Sequence, residues 1–178
     1  MRLKVCAAAS LFATLAFPQT TPVVRLQNLA HTTESLDKTV PFYRDVLGLR
    51  LSDSSEGNAA FMHGPHGSDH HMVAFARSGG PGLHHCSWDV GAVQEIGLGA
   101  MQMAGKGYTA GWGLGRHVLG SNYFHYVQDP CGSFSEYSAD IDYIPASCDW
   151  PTGDHPPDDS FYAWGPNVPD DFVHNYEA

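Results

Sequence analysis

Leu83-His84-His85-Cys86-Ser87-Trp88-Asp89-Val90 opens the second copy of a unit that Val23-Val24-Arg25-Leu26-Gln27-Asn28-Leu29-Ala30-His31 opens first, and that repetition decides the fold. Both stretches read as extended, and each is followed by a helical stripe and then by short strands. In the first copy Leu36, Val40, Tyr43 and Leu47 recur at helical spacing, with Thr33 or Ser35 as cap and Gly48 as stop. Pro41 should kink this helix or restrict its start. Leu49–Ser52, Ala59–His63 and His71–Ala76 then read as strands between Gly, Pro and Ser clusters. In the second copy Val93, Ile96, Ala100 and Ala104 mark a helix that ends at Gly105 and Gly107. Strands follow around Tyr108–Ala110, Asn122–Val127 and Phe134–Ser138, the last two joined by the turn Asp129-Pro130-Cys131-Gly132. Each βαβββ module, about 23–77 and 82–138, is too small to bury its own sheet. The pair should therefore combine into one cup-shaped mixed sheet of the α+β class.

The rest of the chain is read around that cup. With 178 residues, 43% of them apolar and 16% charged, the composition is globular, and residues 18–178 are read as one domain. The net charge of −10 and the lack of any Lys/Arg run exclude nucleic acid and anionic membrane surfaces as partners. Residues 1–17 hold Arg2 and Lys4 before an apolar run from Val5 to Phe17, the pattern of a secretory leader, too short to span a bilayer. Export is thus the expected localisation, with a cytoplasmic protein as the alternative. Cys6, Cys86, Cys131 and Cys148 show no framework spacing, which argues against a disulfide-rich or zinc-ribbon fold. The segment from Ala139 to Ala178 holds six prolines and many acids. It should be irregular and wrap the surface, anchored by Trp150, Phe161 and Trp164, or serve as an interface.

Eleven histidines mean that a histidine counts only where its position says something. His31 and His85 occupy equivalent points of the two modules and should meet when the sheets pair. Strand alternation puts His84 with Cys86, Trp88 and Val90 on the helix-covered face and His85 with Ser87 and Asp89 on the cavity face. Glu136 lies between aromatic residues on the last strand of the second module, where an unpaired carboxylate is costly. Two histidines and one carboxylate are the set that leaves one face of a six-coordinate Fe(II) open. Taken singly, each of the three also fits an ordinary role, a locally hydrogen-bonded histidine or an exposed strand acid. His71, His117 and Tyr126 surround the same region. His117 ends the glycine-rich loop Gly113-Leu114-Gly115-Arg116-His117, and His70, pointing the other way, is the rival of His71.

Leu83-His84-His85, Gly115-Arg116-His117, Tyr126-Val127-Gln128-Asp129-Pro130 and Glu136, seven residues after Asp129, together resemble the vicinal-oxygen-chelate superfamily. More narrowly, they resemble its type I extradiol ring-cleavage dioxygenases, the catechol 2,3-dioxygenase kind. The resemblance covers roughly Val23 to Tyr143, and the stretch Pro41–Gly48 is shared by the whole superfamily. It implies a mononuclear Fe(II) site, with Mn(II) as the alternative, held by His31, His85 and Glu136. It further implies His71 as the acid–base histidine, and His117 and Tyr126 as hydrogen-bonding partners of the substrate oxygens. A catecholic substrate and O2 would give a 2-hydroxymuconate semialdehyde-type product, and the chain is expected to form a homo-oligomer. The larger members carry a further amino-terminal domain of the same fold, so this chain is expected to resemble the smaller relatives. A metal-dependent glyoxalase-like lyase or isomerase is the alternative, and a non-catalytic binder of small aromatics is the third.

Overall fold

The computed structural model describes residues 23–177; the expected leader over 1–17 lies outside the described residues. The first module is β1 (Arg25–Thr33), α1 (Leu36–Asp45), β2 (Arg50–Ser55), β3 (Ala59–His63), β4 (Ser68–Asp69) and β5 (Val73–Arg77). The second is β6 (Gly82–Asp89), α2 (Val93–Gly105), β7 (Gly111–His117), β8 (Tyr123–Gln128) and β9 (Phe134–Ala139). The remaining segment contributes β10 (Tyr143–Ile144), β11 (Gly153–Asp154), the short helix α3 (Pro157–Ser160) and β12 (Tyr162–Trp164).

Ten strands form one sheet in the order β11-β2-β3-β5-β1-β6-β9-β8-β7-β12. The order within the modules mirrors itself about the centre. β1 pairs parallel with β5, β6 pairs parallel with β9, and β1 and β6 join the halves as antiparallel neighbours. The two βαβββ modules expected from the sequence therefore form the expected mixed sheet. Each helix covers its own half. Leu36 packs with Ala60, Met62 and Phe75, joined by Val40 and Tyr43, beneath α1. Ile96 and Met103 of α2 pack with Val90, Val127, Tyr137 and Ala139. Leu47, expected on the buried stripe, lies beyond the last turn of α1 and is exposed. Gly99 lets α2 come down on β9: a Cβ there would sit 2.5 Å from the Tyr137 ring.

Several local expectations change. Ser35 is the N-cap of α1 but makes no side-chain cap bond. Thr33 Oγ1 instead accepts from the Ser35 amide at 3.3 Å and lies 2.9 Å from Thr39 Oγ1. Pro41 is inside a helix that continues to Asp45. The glycine-rich stretch ending at His117 is not a loop but strand β7, while Tyr108–Ala110 precedes it without strand structure. The reason is space: a Cβ on Gly115 would lie 2.5 Å from Phe124 and 2.8 Å from the Trp164 carbonyl. Glycine there admits both the aromatic ring beneath and β12 alongside. His71 precedes β5 instead of heading it.

The segment after Ala139 does more than wrap the surface. β11 extends one edge of the sheet beside β2, and β12 covers the other beside β7, so both exposed ladders are closed. Trp150 and Phe161 anchor it as expected, through the indole N–H on Asp53 and stacking on Trp112. Trp164 is half exposed. Phe172, which the sequence did not single out, is 3% exposed among Trp112, Phe124, Tyr126 and Phe134. Among the described residues no helix is long and apolar enough to cross a membrane. Cys86 and Cys148 are free thiols.

Candidate active site

The concave face of the sheet encloses a cavity of about 90 Å³ whose walls are largely apolar. His71, His85, His117, Tyr126 and Glu136 all line it, so five of the six residues singled out from the sequence converge on one space. β6, β8 and β9 deliver His85, Tyr126 and Glu136, β7 delivers His117, and the connection into β5 delivers His71. Register explains the convergence: Glu136 pairs with Tyr126 on one side and with Ser87, two residues from His85, on the other.

His31 stands apart. Its neighbour Ala30 lines the cavity and His31 does not. The His31 ring stacks on Phe75, 6.3 Å between centroids. Among the described residues no three His, Cys, Asp or Glu side chains are gathered as a metal-binding group. The β1–β6 ladder slips here, since Ala30 faces His85 whereas His31 faces Leu83, leaving His84 as the extra residue. The same bulge overturns strict alternation at His84. Expected on the helix-covered face, it lines the cavity together with His85.

His84 has a definite task there. Its Nε2–H donates to the Phe172 carbonyl at 2.6 Å, since a carbonyl can only accept. Its Nδ1 is then an acceptor, and His85 Nδ1–H donates to it at 2.7 Å. That leaves His85 Nε2 with a bare lone pair, 3.5 Å from Glu136 Oε2. His117 is fixed in the same way: Nδ1–H donates to the Phe161 carbonyl at 2.8 Å, so Nε2 accepts from the Tyr126 hydroxyl at 3.0 Å. Thus two main-chain carbonyls of the last segment set the tautomers of two histidines. Asn122 Nδ2 donates to Glu136 Oε1 at 3.1 Å and holds the carboxylate in place. The bare Nε2 and the carboxyl group of Glu136 face each other, and a cation between them would satisfy both.

The electrostatics agree. Burial pushes Glu136 up to about 8, against the opposing pull of the polar neighbours Ser87, Tyr126 and Asn122. Burial also lowers His85 well below its usual value, helped by the neighbouring histidines, and lowers His117 to about 4. Tyr126 is driven well above the ordinary phenol range by burial and by Glu136, so it stays a hydroxyl. Neutral imidazoles are the form that ligates metal, and a carboxyl under this strain is stabilised by a nearby cation. Two donors held at about 2.1 Å from one ion lie roughly 3 Å apart when adjacent. His85 and Glu136 therefore fit as two ligands of one metal, while the third expected donor, His31, does not reach the cavity in this geometry.

Paired βαβββ modules around a cup in which a histidine faces a carboxylate define the architecture of this chain. The chain belongs to the Glyoxalase/Bleomycin resistance protein/Dioxygenase superfamily, whose model matches residues 25–137. It is 60% identical over 154 residues to Metapyrocatechase 2 of Cupriavidus necator, covering 86% of this chain and 48% of that protein. It is 25% identical over 93 residues to the manganese-dependent 2,3-dihydroxybiphenyl 1,2-dioxygenase of Geobacillus genomosp. 3, covering 52% of this chain and 29% of the relative. Among solved structures it resembles the Mn(II)-bound glyoxalase from Novosphingobium aromaticivorans, with a TM-score of 0.75 at 26% identity over 85% of this chain and 50% of the other. Homoprotocatechuate 2,3-dioxygenase from Arthrobacter globiformis shares the fold, with a TM-score of 0.76 at 24% identity over 87% of this chain and 50% of the other. The chain thus spans about half the length of these relatives or less.

Proposed function

We propose that this protein is an extradiol dioxygenase that opens the ring of a catechol with O2, giving a 2-hydroxymuconate semialdehyde-type product. The observation that carries the reading is the convergence of His85 and Glu136 with His71, His117 and Tyr126 on one apolar cavity. The 60% identity to Metapyrocatechase 2 supports it. Fe(II) is the metal proposed, with Mn(II) as the alternative. His85 and Glu136 are proposed as two of its ligands and His31 as the third. The ladder slip at Ala30/His31 is the point where a shift of one residue would turn His31 inward.

When bound, the metal would supply a Lewis acid that gathers the two adjacent oxygens and lowers the hydroxyl pKa. This chain's own residues do the remainder. His71, neutral in its buried setting, takes a proton from a substrate hydroxyl and later returns it. The Tyr126 hydroxyl can turn from His117 to donate to a substrate oxygen that has become anionic. His117 holds Tyr126 in reach. Phe161 and Phe172 close the wall and keep water from the reacting ring.

The test is anaerobic reconstitution with Fe(II), followed by catechol in air. Yellow product with one O2 consumed per ring is expected. Tight metal binding without O2 uptake would replace this reading with the lyase. In the same assay His117→Ala is expected to retain metal and to slow turnover by about 10²-fold, the lower end of what a positioned acid–base group contributes. Loss of metal in that variant would make His117 a ligand instead.

A further inference from the structure

Behind His71, away from the cavity, lies a second chain of polar side chains. His70 Nδ1 is 3.0 Å from His71 Nδ1, and His70 Nε2 is 2.7 Å from Asp53 Oδ2. Asp53, 5% exposed on β2, also accepts from the Gly153 amide at 2.8 Å, His155 Nε2 at 3.1 Å and the Trp150 indole at 3.3 Å. Burial alone would raise its carboxyl, but the hydrogen bonds from His70, Gly153 and His155 outweigh that and leave it below the usual value. His70 is 1% exposed, and the titratable groups around it are Asp53, His71 and, across Ser52, His63.

Proton positions follow from what each partner can do. An ionised Asp53 only accepts, so His70 Nε2 carries hydrogen. One proton then lies between the two Nδ1 atoms. With that proton on His71, His70 is neutral and His71 Nε2 is a bare base. With it on His70 and a further proton taken up at His71 Nε2, an imidazolium faces Asp53 and His71 is still neutral. Uptake of one proton at Nε2, coupled to one transfer across the 3.0 Å gap, therefore exchanges a base for an acid at the cavity wall.

We propose that Asp53 and His70 are positioning residues that make His71 a two-tautomer proton carrier, a role that rests on the ring-cleavage reading above. The substrate O–H bond breaks with its electron pair left on oxygen, and His71 Nε2–H forms. His71 Nδ1–H breaks as His70 Nδ1–H forms, and the positive charge rests on His70 against Asp53. Return of the proton reverses both steps. Burial disfavours a cation on His71 itself, and this arrangement keeps that ring neutral throughout. The His84–His85 pair is the instructive contrast. There the outer histidine donates to a neutral carbonyl, which fixes one tautomer and stabilises a charge less than a carboxylate does. A carboxylate in the same place does both.

Two measurements decide it. In the full chain loaded with diamagnetic Zn(II), ring nitrogen resonances are followed by 15N NMR as pH falls, with His70→Gln and His71→Gln for assignment. His70 is expected to become doubly protonated while His71 stays singly protonated, its hydrogen moving from Nδ1 to Nε2. A His71 that charges first, or that keeps Nδ1–H once His70 is charged, overturns the proposal. In the Fe(II)-loaded protein Asp53→Asn is expected to lower kcat for catechol by about 10²-fold, with KM within about threefold. An unchanged kcat overturns the proposal. If wild type turns over no catechol, it is the function reading that fails. The nitrogen resonances then still judge the relay, as they do if Asp53→Asn does not fold.

Discussion

His85→Ala is expected to leave the protein unable to retain metal: after Fe(II) loading and dialysis, bound metal should fall from about one per chain to near zero. The expectation follows from the tautomer chain. The Phe172 carbonyl fixes His84, His84 fixes His85, and the resulting bare Nε2 faces Glu136 at 3.5 Å. Removing the imidazole leaves a carboxylate that burial already pushes up to about 8, so protonation competes with the metal for it. His84→Ala keeps the ligand but frees its orientation, and should weaken affinity by about 10–100-fold. Full occupancy in His85→Ala would sink the ligand assignment. The same elemental analysis on His31→Ala tests the third donor: loss of metal would mean that β1 turns His31 inward when metal binds.

Phe172→Ala should be among the most destabilising single changes in the chain. The ring lies 4.9 Å from Trp112, 4.8 Å from Tyr126 and 5.0 Å from Phe134, between centroids, and it also meets His84 edge-on. Truncating a fully buried phenylalanine costs about 3–5 kcal/mol, through lost burial and the cavity left behind. For a domain of this size that corresponds to a fall in melting temperature on the order of 6–20 °C. Chemical denaturation and a thermal scan would measure it. A loss under about 1 kcal/mol would mean that the last segment contributes little to the core.

The module repeat was legible because its signals are local: the stripe Leu36, Val40, Tyr43 and the paired extended segments before each helix report burial directly. That five of the six candidate residues line one cavity was legible in part from strand parity and from their spacing along the second module. What was less legible has a common cause. His84 and His31 sit at a bulge, and a single unpaired residue reverses the parity on which the reading of both depends. The glycines before His117 look like a loop because their reason, the ring of Phe124 and the incoming β12, is remote in sequence. Phe172, Asn122 and Asp53 escaped notice because nothing near them in sequence reports their partners. The recurrence of a His-His dipeptide in each module, His70-His71 and His84-His85, was a visible hint that an outer histidine supports an inner one.

The antiparallel seam between β1 and β6 also governs how a ligand gets in. Clefts between two lobes commonly admit their guests by hinging, but here seven residue pairs, from Arg25↔Asp89 to Thr32↔Gly82, tie the lobes together across a ladder with two register shifts. Opening the halves like a book would tear that ladder. The wall supplied by Phe161, Phe172 and Val173 belongs instead to the terminal stretch, which is joined to the barrel of the cup by short pairings and side-chain packing. The seam thus leaves that stretch, not the joint between the two halves, as the part of the wall held by the fewest ladder pairs.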